Sequence, residues 1–251
     1  MTDWQLLIKH LIFHKISSSS LAILFNMKRN KISPKSILNR LLNFKHSIAY
    51  HEAGHAIAIC VNNQARQQQP VFFQIVIKDL SQHDEECNNV LVDSDDSVAR
   101  VEGGRLIQSL IYNVDVLTDK LISINESVSP LVKEYQVAFE TDIINLLIGP
   151  LAEAKQAYLN DNEHFNYQLI DLKALKNYGG DSDLALAWEY LDSYSKDKQR
   201  QEEKLNELFI EAGNFISDSK NWQAITKLAD YIIHSDKNII SCEEVFSLLK
   251  E

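Results

Sequence analysis

The sequence predicts a mainly α fold with one small β-hairpin or sheet following its most apolar helix. Three observations lead there. Seven glycines and four prolines in 251 residues favour long regular elements over a turn-rich all-β chain. Apolar residues recur at three- and four-residue spacing over most of the length. One β-branched and aromatic run, Val71 to Ile77, has the composition of a strand.

Residues 1–32 read as a basic arm or leader, separate from a domain at 33–251. Residues 1–50 carry eight Lys/Arg and one acid, Asp3, whereas residues 51–251 carry 17 basic and 34 acidic side chains. Apolar stretches at Trp4–Ile8 and Leu21–Phe25 flank a serine run at Ser17–Ser20. Three readings fit: an organelle transit sequence or membrane-surface helix, an amphipathic arm packed on the domain, or a chain start at Met27. His10 and His14 lie four apart, but Leu11 replaces an acid between them, so a surface helix is expected there.

Ser33-Pro34 starts a helix, with a hydroxyl N-cap and proline in the first turn, and Ile37, Leu38, Leu41 and Leu42 follow at helical spacing. A second helix is expected from near His46 to Val61. Its residues Ile48, Ala49, Ala56, Ile57, Ala58 and Ile59 are apolar almost all round, which predicts a buried central helix. Gln64 to Pro70 form a polar break before the strand at Val71 to Ile77. A short partner strand is expected at Asn89 to Val92. Between the two lies the acidic loop Ser81 to Glu86, where His83, Asp84, Glu85 and Glu86 read as a solvated turn. From Val98 onward the pattern is helical, with helices expected at 104–124, 131–159, 182–194, 198–216, 220–234 and 241–250.

The formal charge of −10 argues against nucleic acid as a partner of the whole chain. Cys60, Cys87 and Cys242 are odd in number and lack a C-x-x-C pairing, which points to a reducing, cytoplasmic setting rather than a disulfide framework. No apolar run reaches the ~18 residues of a membrane span, so membrane contact is confined to a peripheral role for residues 1–30.

The chemistry concentrates in His51-Glu52-Ala53-Gly54-His55. On a helix, residues four apart share a face, so His51 and His55 project together as two zinc ligands and leave a position for water. Glu52 stands where a carboxylate can take a proton from that water. A metzincin-type third ligand needs glycine at 58 and histidine at 61, where the chain has Ala58 and Val61. Glu85 and Glu86 fall in the expected loop. Tyr178-Gly179-Gly180-Asp181-Ser182-Asp183-Leu184 is a better source. Its Gly-Gly turn opens a helix, Asp181 or Ser182 suits the N-cap, and Asp181 and Asp183 are both open as ligands or as simple partners of the helix dipole.

Ala49-Tyr50-His51-Glu52-Ala53-Gly54-His55-Ala56 resembles the zinc helix of the FtsH-type ATP-dependent metalloproteases. Leu147-Ile148-Gly149-Pro150-Leu151-Ala152-Glu153-Ala154 is similar to that family's L-x-G-R-x-A-E-E helix, with Pro150 in place of arginine. Gly179-Gly180-Asp181-Ser182-Asp183-Leu184 resembles its G-A-x-x-D-L block, whose aspartate is the third zinc ligand, and the resemblance therefore selects Asp183. Ala224 to Ile233 and Ser241 to Leu249, with Glu243 or Glu244 near the start of the latter, follow the family's closing helices. The likeness spans about residues 35–251 and is specific in the three blocks, whereas residues 105–135 look divergent or inserted. None of the seven glycines is followed by lysine, so the chain holds no G-x-x-x-x-G-K-[ST] loop of the family's ATPase module.

The resemblance implies a helical zinc-peptidase domain that hydrolyses peptide bonds in unfolded or partly folded proteins. His51, His55 and Asp183 are its expected Zn2+ ligands, Glu52 its general base, and Glu153 a carboxylate orienting a ligand histidine. The implied partners are a polypeptide substrate, a separate AAA ATPase and further copies of the chain in a ring. Two other functions compete: a non-catalytic zinc-binding interaction or regulatory protein, and a zinc hydrolase of non-peptide substrates.

Overall fold

A computed structural model describes residues 34–77, 99–110 and 130–250. The arm at 1–32, the expected strand at 89–92, the acidic loop at 81–86, and residues 111–129 of the divergent stretch lie outside the described residues. The described part is mostly helical, with one three-stranded antiparallel sheet. In chain order it runs α1 (Pro34–Ala65), β1 (Phe73–Ile77), β2 (Ala99–Gly103), α2 (Pro130–Asn160), α3 (Asp181–Tyr194), α4 (Lys198–Ser217), α5 (Ser219–His234), β3 (Ile239–Ser241) and α6 (Cys242–Lys250). Two 3-10 segments, Tyr167–Leu169 and Leu172–Tyr178, link α2 to α3.

The two helices expected at the start of the domain are a single 32-residue helix, α1. Nothing between Leu42 and His46 breaks it: neither glycine nor proline occurs there, and the apolar face simply continues. Its second half is buried on nearly all sides, with Ala53, Ala56, Ile57 and Ala58 fully inaccessible. It packs on α2 through Phe139, Ile143, Leu147, Ile148 and Leu151, and on α5. Each such side chain contributes about 1.5–3 kcal/mol by leaving water.

The strand region departs from expectation. Among the described residues β1 pairs on one side with β2, which was not expected, and residues 104–110, expected to open a helix, are not helical. Gly103 and Gly104 take positive φ of 85° and 82°, which ends the strand in a turn that no helix tolerates. The Asp142 carboxylate, buried on α2, then accepts the N–H groups of Leu106 and Ile107, both at 2.9 Å, and the Tyr190 hydroxyl at 2.9 Å. Backbone donors that a helix would have used are satisfied this way. β3 was not expected either. Its β-branched Ile239 and Ile240 pair with Val76 and Ile75, giving the order β2-β1-β3 and shortening the last helix to 242–250. The other helices match their expected ranges to within two residues. No described helix is long and apolar enough to cross a membrane.

Gly54 marks the closest approach of α1 and α2. A Cβ there would stand 2.9 Å from the Ala152 Cβ and 3.0 Å from the Ile148 carbonyl oxygen. Gly54→Ala gains up to about 1 kcal/mol in helix propensity but overpacks this contact by about 1–3 kcal/mol. A net loss of about 1–2 kcal/mol is expected, read as a lower urea midpoint at constant m-value. An unchanged or raised midpoint would show that the helices part freely.

Candidate metal centre

Four helical and loop segments bring the candidate residues together. His51 and His55 project from adjacent turns of α1 toward α2 and the first turn of α3, which carries Asp183. His51 Nε2 lies 3.1 Å from His55 Nε2 and 3.2 Å from Asp183 Oδ2, and His55 Nε2 lies 3.3 Å from Asp183 Oδ1. The resemblance selected Asp183 over Asp181, and the geometry agrees. Asp183 is 9 % exposed and faces both imidazoles, while Asp181 is exposed and lies 3.5 Å from Lys176. Neither Asp181 nor Ser182 caps the helix: Gly180 is the N-cap, and it makes no side-chain bond.

Each imidazole is fixed through its other nitrogen. His55 Nδ1 lies 2.9 Å from the Asn145 carbonyl, an acceptor only, so Nδ1 carries the hydrogen and Nε2 presents a lone pair. His51 Nδ1 lies 3.2 Å from both the Tyr178 carbonyl and Glu153 Oε2, again acceptors when the carboxylate is ionised. Glu153 thus contacts the His51 ring through the nitrogen that does not face Asp183. Two lone pairs and a carboxylate aimed at one another within 3.3 Å repel unless a proton or a cation lies among them. One ligand atom from each of His51, His55 and Asp183 lies within 4.8 Å of the others, and two imidazole nitrogens with a carboxylate oxygen form a donor set that could hold a divalent metal ion.

Glycines make room for these rings. A Cβ on Gly149 would overlap the His55 imidazole. Gly179, at φ 72°, would bring one to 2.9 Å from Glu153 Oε2 and 3.0 Å from His51 Nδ1. Pro150 packs beneath Gly180, whose Cβ would meet the proline ring at 2.8 Å. Four of the chain's seven glycines, Gly54, Gly149, Gly179 and Gly180, surround the centre. In a glycine-poor sequence that concentration was a readable signal.

Glu52 is 7 % exposed, and its Oε2 accepts the Val101 N–H at 2.6 Å. In the β1–β2 ladder, Arg100, Glu102 and Gly104 turn their backbone groups toward β1, whereas Val101 turns its own outward toward Glu52. β2 is thus an edge strand of the described sheet, and that edge faces the centre. Nothing in the sequence signalled Val101, because the contact rests on a strand that composition did not reveal.

Charge sets the protonation of the metal-free centre. Burial is the largest single influence and pulls both imidazoles down, but the surrounding carboxylates together outweigh it: Asp183, Glu153 and Glu52 push His51 up to about 10, and Asp183 with Glu52 raises His55. Burial opposes ionisation of Asp183 as well, yet the two imidazoles hold its carboxyl far below the usual range. Desolvation raises Glu52, against the pull of the two histidines and the Val101 N–H.

No family model matches this sequence, and neither the curated proteins nor the solved structures contain a significant match.

Two outcomes are expected. Gly149→Ala displaces the His55 ring and should weaken zinc binding about 10–100-fold in a competition titration, with the helical content retained. The second concerns pH. A raised His51 stabilises the metal-free fold fully below pH 6.5 and loses that contribution as the pH climbs toward about 10. An ion held by His51 would have to displace the same proton, so any zinc affinity should rise up to about tenfold per pH unit over that window. The Tm measured in chelator should therefore fall, and the zinc-induced increment in Tm should grow, between pH 6.5 and 10. Parallel pH profiles with and without zinc would contradict this.

Proposed function

We propose that this chain is a zinc-dependent metalloendopeptidase related to the peptidase domain of the FtsH-type proteases, acting on unfolded or partly folded polypeptides. The observation that carries the reading is the convergence of His51, His55 and Asp183 at 3.1–3.3 Å with the buried carboxylate of Glu52 beside them. His51, His55 and Asp183 are the residues that would hold the ion. When bound in such a site, zinc supplies Lewis acidity, acidifying water and polarising a carbonyl.

The protein's own groups divide the remaining work. Glu52 takes the proton of the attacking water and returns it to the leaving amine, a task suited to a carboxyl that desolvation has raised. Glu153 and the Tyr178 carbonyl keep the His51 ring aligned. The outward edge of β2 offers backbone hydrogen bonds to an extended chain, which favours a polypeptide over a compact small molecule. A segment that arrives already unfolded, or is delivered by a separate ATPase, is the form of substrate that belongs to this proposal. Self-association into a ring belongs to the same proposal through the family resemblance.

A second reading, a non-catalytic zinc-binding interaction protein, is favoured by one contact. The 2.6 Å bond from Val101 ties down the carboxylate that turnover needs free.

Zinc content and cleavage of an unfolded protein separate the two readings. For a peptidase, Glu52→Gln should retain zinc and lose cleavage by about 10²–10⁴-fold, while Asp183→Ala should lose most of both. Wild-type protein that is fully loaded with zinc and cleaves no unfolded substrate would establish the second reading. Full zinc retention in Asp183→Ala would remove Asp183 from the ligand set.

A further inference from the structure

The geometry points to Asn145 as a positioning residue: clamped by Asn62 and Asn63 of α1, it seats His55 for metal binding. This inference rests on the metal-site reading above and extends it to residues that none of the three sequence blocks includes.

Asn145 reaches α1 in two independent ways. Its backbone carbonyl accepts His55 Nδ1–H at 2.9 Å. Its side-chain oxygen accepts Asn62 Nδ2–H at 2.9 Å, and its own Nδ2 approaches Asn63 Oδ1 at 3.4 Å. Asn62 lies seven residues beyond His55, two turns along the same helix, so the clamp and the ring are read from one face of α1. On α2, Asn145, Gly149 and Glu153 form a single i, i+4, i+8 ridge. Asn145 fixes His55, Gly149 leaves space for its ring, and Glu153 fixes His51. A slide of α2 along α1 would move all three at once. Apart from the contacts of the two imidazoles themselves, the amide clamp is a polar link between α1 and α2 that opposes such a slide.

Stability does not account for these amides. Asn145 is 6 % exposed and Asn63 5 %, and Asn63 Nδ2 has no hydrogen-bond partner among the described residues. An orphaned buried donor costs about 1–3 kcal/mol, and apolar side chains of similar volume would pack this interface at least as well. What apolar side chains cannot do is set the register that places a main-chain carbonyl 2.9 Å from His55 Nδ1.

Asn145→Leu and Asn62→Ala in the full chain test the clamp. Asn62 touches no proposed ligand atom, so any effect of Asn62→Ala on His55 travels through Asn145. In metal-free protein, NMR of the histidine side chains should show the His55 Nδ1–H proton hydrogen-bonded and slow to exchange with solvent in the wild type, and exchanging faster in both variants. Co2+ used as the probe ion should bind about 10–100-fold more weakly to the variants, with altered d–d absorption, while helical content stays at the wild-type level. A wild-type exchange rate of the His55 Nδ1–H proton together with Co2+ affinity within about twofold in Asn62→Ala would overturn the inference, and that variant decides alone if Asn145→Leu does not fold. Wild-type protein that binds neither Co2+ nor Zn2+ would overturn the metal reading, and the inference with it. Retained wild-type binding with unchanged variants would overturn the inference only.

Discussion

Helices α1 and α2 meet nearly backbone to backbone where Gly54 faces Ile148, Gly149 and Ala152. The side chains of the metal centre take their positions from that contact. Because the helices run antiparallel, His51 falls opposite Glu153 and His55 opposite Gly149 and Asn145. One ridge of α2 thus orients two imidazoles at once. The packing is dense enough that little of the geometry is left to flexible side chains, since interiors of this density do not deform gradually.

Burial then gives the centre its electrostatic character. Taking two imidazoles and two carboxylates out of water is costly unless they neutralise one another or share a cation. The metal-free centre answers with an ionised Asp183 and a protonated His51, and a divalent ion would answer the same demand while releasing that proton. Glu52 sits slightly apart from this exchange. It is held by the main chain of β2 rather than by the ligands, which leaves its carboxylate adjacent to them without being consumed by them.

Much of this was legible in the sequence, and for definite reasons. The helical ranges were readable because apolar spacing carries over directly into buried faces. His51, His55 and Glu52 were readable because a short helical motif contains its own geometry. Asp183 was harder: elimination left it level with Asp181, and only the family resemblance separated them. What stayed hidden depends on long-range pairing. β2 has the composition Ala-Arg-Val-Glu-Gly, which has no strand signature of its own and becomes a strand by joining β1. The main-chain acceptors of Tyr178 and Asn145 were invisible for a similar reason, since every residue carries a carbonyl and only the fold chooses which one meets a histidine. The merger of two expected helices into α1 shows the converse: where nothing interrupts a helix, expecting a break was unwarranted.

The spacing of the ligands has a consequence for how the protein is made. His51 and Asp183 are 132 residues apart in the chain. An ion joining them closes a loop for which a covalent cross-link would remove about 5 kcal/mol of chain entropy from the unfolded ensemble. The histidine pair emerges early in synthesis, but the pocket exists only once α3 has docked against α1 and α2. Capture of an ion there would therefore be a late event in biogenesis and would report that the domain has closed. A chain truncated before α3 would keep its HEAGH helix and still have no place for the metal.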